Sequence, residues 1–490
     1  MFPGGFDVDA AVAVTAGEPV AAEEMLDVLD GLVAKSIVNR QRSEDPARYE
    51  MLESVHEYGR ALLRNADTER DLRRRHVGWV AGLVAEADTL AGTQQARWLD
   101  LIEREQDNLR AALDFCLREP GASTTGLLML GQSWLHWIAR GHLGEARRWL
   151  TALLGVAAQA TPARARALAT SAMVALSAGD VHMADLAAAE GLEVAQQVGD
   201  ARTAASCETW QGIAAYMQHD LDRSDACLRR AAEAFAFAGD DAGLASTQMH
   251  LGALAGVRRD LATAEAILER SRELARRLQD TWLIARSALT HRSLLAHWGY
   301  PTRARTLLQE SVRASRTIGD RWAIAVAMEL LALVAGAEGR PERAVQLLGA
   351  TEALWETAPP AFTKEWAAAR EKSRADARTQ LGSRAFELAF SRGRSNSIQS
   401  AIRLALEEAE PQKLAGPARR RLTTPLSTRE LEVAALVARG LTNKEIATRL
   451  IITERTVDTH VNHILTRRGF NSRVQLAGWH AEYARSVPDT

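Results

Sequence analysis

Residues 161 to 360 repeat with a period of 40, and the period is carried by residues that end and start helices. Gly199-Asp200, Gly239-Asp240, Gln279-Asp280 and Gly319-Asp320 recur at one phase. Halfway between them stand Gly179-Asp180, His219-Asp220, Arg259-Asp260, Gly299-Tyr300 and Gly339-Arg340. Gly can end a helix in the left-handed conformation, and Asp can start the next by accepting a backbone N–H from its first turn. Each block is therefore read as roughly 18 helical residues, a short turn and roughly 18 more. In the second helix a small residue recurs at Ala184, Ser224, Ala264, Ala304 and Ala344. An apolar one follows four later at Ala188, Leu228, Leu268, Leu308 and Leu348. Residues four apart share a helix face, and small ones let helices approach closely. Five such hairpins in a row predict a mainly all-α protein built on an α-solenoid.

The spacing resembles a tetratricopeptide-like array with slightly longer helices. A solenoid offers a concave surface for a peptide, a protein or a small-molecule effector, or serves as a rigid spacer or oligomerisation scaffold. Trp210, Trp282, Trp298 and Trp322 can line such a groove or fill the core, and spacing alone leaves both open.

Composition narrows the class. With 25% charged and 47% apolar residues, the chain is globular and not disordered. Its 490 residues suggest roughly two to four domains. The net charge of -2 hides an asymmetry: from Pro417 to Thr490 there are 12 Lys and Arg against 7 Asp and Glu. A basic tail on an acidic body points to local nucleic-acid affinity. Cys116, Cys207 and Cys227 show no metal or disulfide spacing and read as buried thiols of a reducing compartment. No signal peptide and no membrane-length apolar run occurs, so a cytoplasmic protein without a membrane partner is expected. No catalytic triad, Cys/His pair or metal-ligand spacing stands out. No enzyme activity, cofactor or metal is expected.

The N-terminal residues 1–66 read as helix, hairpin, helix. Glu23 to Lys35 is amphipathic, Ser36–Arg40 and Arg48–Leu52 can pair around Ser43 to Pro46, and Glu53 to Leu63 is helical. The phrases FPGGFDVDAA, LDGLVAKSIV and RYEMLESVHEYGRALL resemble the winged-helix segment of large bacterial regulators of the signal-transduction ATPase class. The resemblance implies an intramolecular packing module, with Arg40, Arg42 and Arg48 solvated and not phosphate-binding. The nucleotide-binding core of such regulators has no counterpart here. No G-x-x-x-x-G-K-[ST] and no Gly-Lys pair occurs, so the loop that cradles phosphates is absent from this sequence. A naturally short product, a misplaced start codon and a fragment are all open.

The last 70 or so residues carry the chemistry. Ser427 to Glu430 and Thr442 to Glu445 both fit the capping box S/T-x-x-E. They predict helices over 428–438 and 443–450. Thr453 caps a third helix running to Arg468, stopped by Gly469, and Ser472 opens a fourth to about Tyr483. Leu431, Ala434, Val437, Ile446, Ala447, Leu450, Val457, Val461, Ile464, Leu465, Leu476 and Ala477 form one candidate core. Only Ile451, Ile452 and Thr453 separate the second and third helices, which fits a helix-turn-helix reading the DNA major groove.

The stretch LSTRELEVAALVARGLTNKEIATRLIITERTVDTHVNHILTRRGFNSRVQLAGW is very similar to the LuxR-type C-terminal DNA-binding domain. The resemblance implies base reading by Asp458, Thr459 and Asn462, and backbone contacts from Thr442, Asn443, Thr453, Thr456 and Arg467. Asn pairs with adenine, Thr bonds or touches a thymine methyl, and Asp accepts from cytosine N4. His463 can reach a phosphate; His460 can do so or pack at the surface. Many relatives have Lys where this chain has Asp458 and Asn462. That change lowers nonspecific affinity and alters the preferred sequence. The fourth helix, with Ala477, Trp479 and Tyr483, is implied to make a homodimer on double-stranded DNA, its two reading helices about 34 Å apart.

The expected organisation is a winged-helix-like segment (1–66), a helical bridge (67–160), a tetratricopeptide-like solenoid (161–360) and a helical extension (361–409). A linker (410–425) and a LuxR-type domain (426–490) follow. The linker's Arg419, Arg420 and Arg421 either touch phosphates or belong to a solvated tether. The expected function is sequence-specific transcriptional regulation, by activation on the family resemblance, with a signal- or partner-binding body. The alternative is an interaction scaffold or an inactive fragment of a larger ATPase regulator.

Overall fold

The computed structural model describes residues 2–16, 20–41, 47–65, 69–88, 94–297, 301–355, 364–408, 427–468, 476 and 479–480. The fold is mainly α-helical, and among the described residues the one sheet is a two-stranded antiparallel hairpin. The chain divides into two compact units, Met1–Glu408 and Ala409–Thr490.

The N-terminal part of the first unit carries helices Val8–Thr15, Met25–Ala34 and Glu53–Asn65 around strands Val38–Gln41 and Arg48–Met51. Val38 pairs with Met51 and Gln41 with Arg48, so the hairpin forms two residues later than its first predicted strand. Phe6 adds a bridge to Tyr49, its N–H donating to the Tyr49 carbonyl at 3.0 Å. Gly5 makes that approach possible: its φ is +78°, and a Cβ there would lie 2.9 Å from the Tyr49 carbonyl oxygen.

Arg48 overturns the expectation of a solvated cation. It is 4% exposed, and its Nη1 donates to Glu105 at 2.5 Å while Nη2 donates to the Gly4 carbonyl at 2.6 Å. Asn108 Nδ2 donates to the other Glu105 oxygen at 2.6 Å and to the Gly5 carbonyl at 2.9 Å. A charge this deep needs a partner and further hydrogen bonds, and the arrangement ties the N-terminal segment to the bridge. Arg40 is exposed, whereas Arg42 and the hairpin turn lie outside the described residues.

The bridge comprises Glu69–Asp88, Gln95–Arg104, Gln106–Arg118, Ser123–Gln132, Trp134–Ala139 and Leu143–Val156. Their core includes Leu109, Leu113, Leu127, Trp137, Leu150 and Leu153.

Ten helices follow as five hairpins, from Pro162–Ser177 paired with Val181–Val198 to Arg321–Ala337 paired with Pro341–Trp355. The punctuation acts as its chemistry requires. Gly179, Gly199, Gly239, Gly319 and Gly339 sit at φ between +67° and +78°. Asp180, Asp200, Asp220, Asp240, Asp260, Asp280 and Asp320 each accept an N–H from the residue three further on. Each such cap contributes about 1 kcal/mol. The repeated small and apolar positions form the seam between hairpins. Ala184, Ser224, Ala264, Ala304 and Ala344, with Leu228, Leu268, Leu308 and Leu348, are all at most 1% exposed.

The bridge packs on the first hairpin through Ala163, Ala167 and Val174, and it also reaches the fourth. Leu99 and Ala139 of the bridge pack with Trp282, Leu283 and Ile318 of the repeats, and the Gln95 side-chain oxygen accepts the Trp282 N–H at 3.1 Å. After the last hairpin lie helices Lys364–Leu381, Ser383–Arg394 and Ile398–Leu406. Ile402, Ala405 and Leu406 join the core of the last repeats. Trp282 is therefore a core residue, edge-on to Trp134 at 5.1 Å. Arg286 stacks 4.4 Å from the Trp322 ring. Trp298, Gly299 and Tyr300 lie outside the described residues, as do 410–425 with Arg419, Arg420 and Arg421.

Candidate nucleic-acid interface

The second unit is built on helices Thr428–Ala438, Asn443–Leu450 and Glu454–Arg468. Both capping boxes are complete. Glu430 N–H donates to Ser427 Oγ at 3.2 Å and Ser427 N–H to the Glu430 carboxylate at 2.8 Å. Thr442 N–H and its hydroxyl donate to the Glu445 carboxylate at 2.7 and 2.8 Å. Those donors hold the Glu445 carboxyl below its ordinary value. Thr453 caps the third helix through the Thr456 N–H at 3.2 Å. Arg429 braces the pair by donating to the Leu450 carbonyl at 2.5 Å.

The third helix separates its residues by face. Val457, Val461 and Ile464 are buried with Val433, Ala434, Ile446 and Leu476. Asp458, Thr459, Asn462 and His463 are exposed, and His460 is half-buried. Burying the apolar stripe on the second helix leaves the polar stripe facing solvent. This is the helix-turn-helix arrangement, in which one helix braces another whose outer face enters a groove.

The hydrogen bonds refine what these groups can do. The Asn443 side-chain amide donates to Asp458 Oδ1, so an expected backbone contact and an expected base contact are joined across the two helices. Fifteen residues separate them, and no sequence signal marked the link. The Thr459 hydroxyl donates to the Arg455 carbonyl at 2.9 Å. It can still accept from a base amino group or present its methyl. The Thr453 and Thr456 hydroxyls bond each other at 2.8 Å. The Arg467 side chain, Gly469, Ser472, Ala477 and Tyr483 lie outside the described residues. Of the expected dimer helix, Trp479 is half-buried and packs on the unit's core.

The first unit holds a separate feature. A cavity of about 350 Å³ opens among the first helices of the repeats. Trp134, Trp210 and Trp282 supply aromatic wall, and Arg166, Arg202 and Thr203 supply polar atoms. Arg202 is held by Asp240 at 2.6 Å. The size suits a small molecule or a few residues of peptide. Trp210 lines it, while Trp322 does not figure in its wall.

Residues 424–480 match the family described as bacterial regulatory proteins, LuxR family. The C-terminal segment is thus a LuxR-type helix-turn-helix domain. Among curated proteins, the chain is 35% identical over 224 residues to a provisionally named HTH-type transcriptional regulator of Mycobacterium tuberculosis (strain ATCC 25618 / H37Rv). That match covers 42% of this chain and 25% of the relative, so the chain spans a quarter of the relative's length. A 59-residue stretch is 46% identical to the oxygen regulatory protein NreC of Staphylococcus aureus (strain JH9), covering 12% of this chain and 25% of that protein. Among solved structures, a Rap protein complexed with competence and sporulation factor aligns with TM-score 0.43 and 14% identity, over 68% of this chain and 97% of that one. A signal-transduction ATPase with a tetratricopeptide repeat sensor from Pyrococcus horikoshii aligns with TM-score 0.41 and 11% identity, over 79% and 63%.

Proposed function

We propose that this chain is a sequence-specific DNA-binding transcriptional regulator, acting as an activator, whose helical body receives a signal. The observation that carries the DNA reading is the third helix of the C-terminal unit. Its apolar stripe is buried on the helix before it, and Asp458, Thr459, Asn462 and His463 stand exposed. The family match of the same residues supports it. Asp458, Thr459 and Asn462 read base edges. Thr442, Asn443, Thr453, Thr456, His463 and Arg467 contact the phosphate backbone. Asp458 also orients the Asn443 amide. A homodimer through the fourth helix places two reading helices on one two-fold site, in the cytoplasm, and the body's cavity takes the effector. The six segments divided near residues 66, 160, 360, 409 and 425 are the working modules of this scheme.

The test is selection of bound sequences from a random duplex library by the full chain at about 0.15 M salt. A two-fold-related motif is expected. No enriched motif would overturn the reading in favour of an interaction scaffold. On the selected motif, Asn462→Ala should weaken binding by about 1–3 kcal/mol and relax one base position. Arg467→Ala should weaken all sequences alike and reduce the salt dependence. Unchanged sequence preference in Asn462→Ala would remove that residue from the base-reading set.

A further inference from the structure

Three chemically distinct elements of the bridge bring Glu103, His136 and His142 together. Glu103 lies on Gln95–Arg104, His136 on Trp134–Ala139, and His142 is the N-cap of Leu143–Val156. Glu103 Oε2 is 3.6 Å from His136 Nδ1 and 3.2 Å from His142 Nε2. All three ligand atoms lie within 4.8 Å of one another. Two ligands at about 2.0–2.1 Å from a tetrahedral ion stand about 3.3 Å apart. The two separations to Glu103 bracket that value.

His136 supplies the independent observation. It is 1% exposed, and neither of its ring nitrogens meets a hydrogen-bond partner among the described residues. Buried polar atoms are nearly always satisfied, and an exception calls for a reason. An ion pair between Glu103 and His142 explains one edge of the triangle and leaves His136 unsatisfied. A cation at the centre takes one lone pair from each member, and on His136 it satisfies Nδ1, the nitrogen that faces Glu103. The neighbouring positive charges are paired elsewhere, Arg140 with Asp100 and Arg110 with Asp107 and Glu145. Glu103 is itself exposed, which leaves room for water at a further position.

We propose that Glu103, His136 and His142 bind one divalent transition-metal cation of the zinc class, with water completing the shell. Two imidazoles and one carboxylate suit such borderline ions, whereas calcium and magnesium favour all-oxygen sites. The ion fastens three bridge segments to one another. Two of them carry Leu99 and Ala139, which pack on Trp282 and Ile318 of the repeats. The site thus stiffens the place where the bridge packs on the fourth hairpin.

The test uses the full chain stripped of metal and titrated with cobalt(II), read by its visible spectrum, and with zinc(II), read by calorimetry. One equivalent with a tetrahedral cobalt spectrum is expected, with a higher melting temperature in zinc. His142→Ala should abolish that equivalent, and Glu103→Gln should weaken it at least tenfold. Both positions are solvent-accessible, so both variants should fold, as the unshifted melting temperature of the metal-free proteins would establish. His182→Ala, at an exposed position elsewhere, should leave the equivalent intact. Absence of stoichiometric binding, or binding that survives both His142→Ala and Glu103→Gln, would overturn the proposal.

Discussion

The body and the C-terminal unit start their helices with the same device and put it to different use. In the body, aspartates cap the repeat helices, and Asp280 and Asp320 are 7% and 0% exposed. Burial pushes both of those carboxyls up from their ordinary values. In the C-terminal unit the capping residues Thr442 and Thr453 are exposed, beside the exposed face of the third helix. A buried cap can only hold the fold together. An exposed one leaves a helix N-terminus facing solvent, where its N–H groups and dipole favour a phosphate. The body's exposed caps, Asp220 and Asp260, carry a carboxylate where Thr442 and Thr453 carry an uncharged hydroxyl, and a carboxylate repels the phosphate that the bare helix N-terminus would favour.

The sharpest way to break this contrast is to remove a buried charge from the body. Arg48→Ala leaves Glu105, buried at 3% exposure, without its nearest guanidinium, with Arg104 standing off at 3.5 Å. Breaking a buried pair on one side costs about 3–5 kcal/mol. Urea unfolding followed by tryptophan fluorescence suits the test, since 11 of the 12 tryptophans lie before residue 409. Replacing both partners, as Arg48→Met with Glu105→Leu, should recover most of the loss. A cost below about 1 kcal/mol for Arg48→Ala would mean the pair does not anchor the N-terminal segment.

Acid should act on the same region, with a somewhat smaller effect. Burial holds His76 down to about 4, partly offset by Asn108; its ring packs edge-on to Phe2 at 5.2 Å. The folded form resists a proton that the unfolded chain accepts near pH 6.5. The stability from neutral His76 is therefore complete above about pH 6.5 and is lost as pH falls towards 4. A loss on the order of 2–3 kcal/mol is expected across that window. His76→Leu should flatten this part of the stability curve. An unchanged acid slope in that variant would assign the effect to other groups.

What the sequence revealed follows from the same contrast. A cap, a left-handed turn residue and a seam position recur every 40 residues, so the repeats announced themselves through local chemistry. The capping boxes and apolar stripe of the C-terminal unit did likewise within 42 described residues, 427–468. Long-range polar pairs left no such trace. Arg48 and Glu105 are 57 apart, and Gln95 and Trp282 are 187 apart. Neither pair belongs to a repeat or a motif, so Arg48 looked like any surface cation. Glu103, His136 and His142 stand on three separate helical elements that only folding brings together, so their spacing carries no signal. Asn443 and Asp458 read as separate contacts, since nothing in their 15-residue spacing marks a bond.

The smallest effects lie at the turns, where the two regions perform one backbone task with different residues. Five repeat turns use Gly at positive φ, whereas His219, Arg259 and Gln279 occupy the same position at +63°, +65° and +53°. A left-handed residue with a Cβ costs roughly 1–2 kcal/mol locally, and Gly's greater freedom in the unfolded chain offsets part of any gain. His219→Gly should thus stabilise by up to about 1 kcal/mol, and Gly239→Ala should destabilise by about as much. In the C-terminal unit Ile451 does this at φ +57° while 92% exposed. A β-branched residue is a poorer fit to that conformation than His, and its side chain buries almost nothing there. Ile451→Gly should therefore raise hydrogen-exchange protection across 443–465 by more than His219→Gly raises it across 201–235. Lower protection in Ile451→Gly would show that the isoleucine contributes packing that its exposure does not reveal.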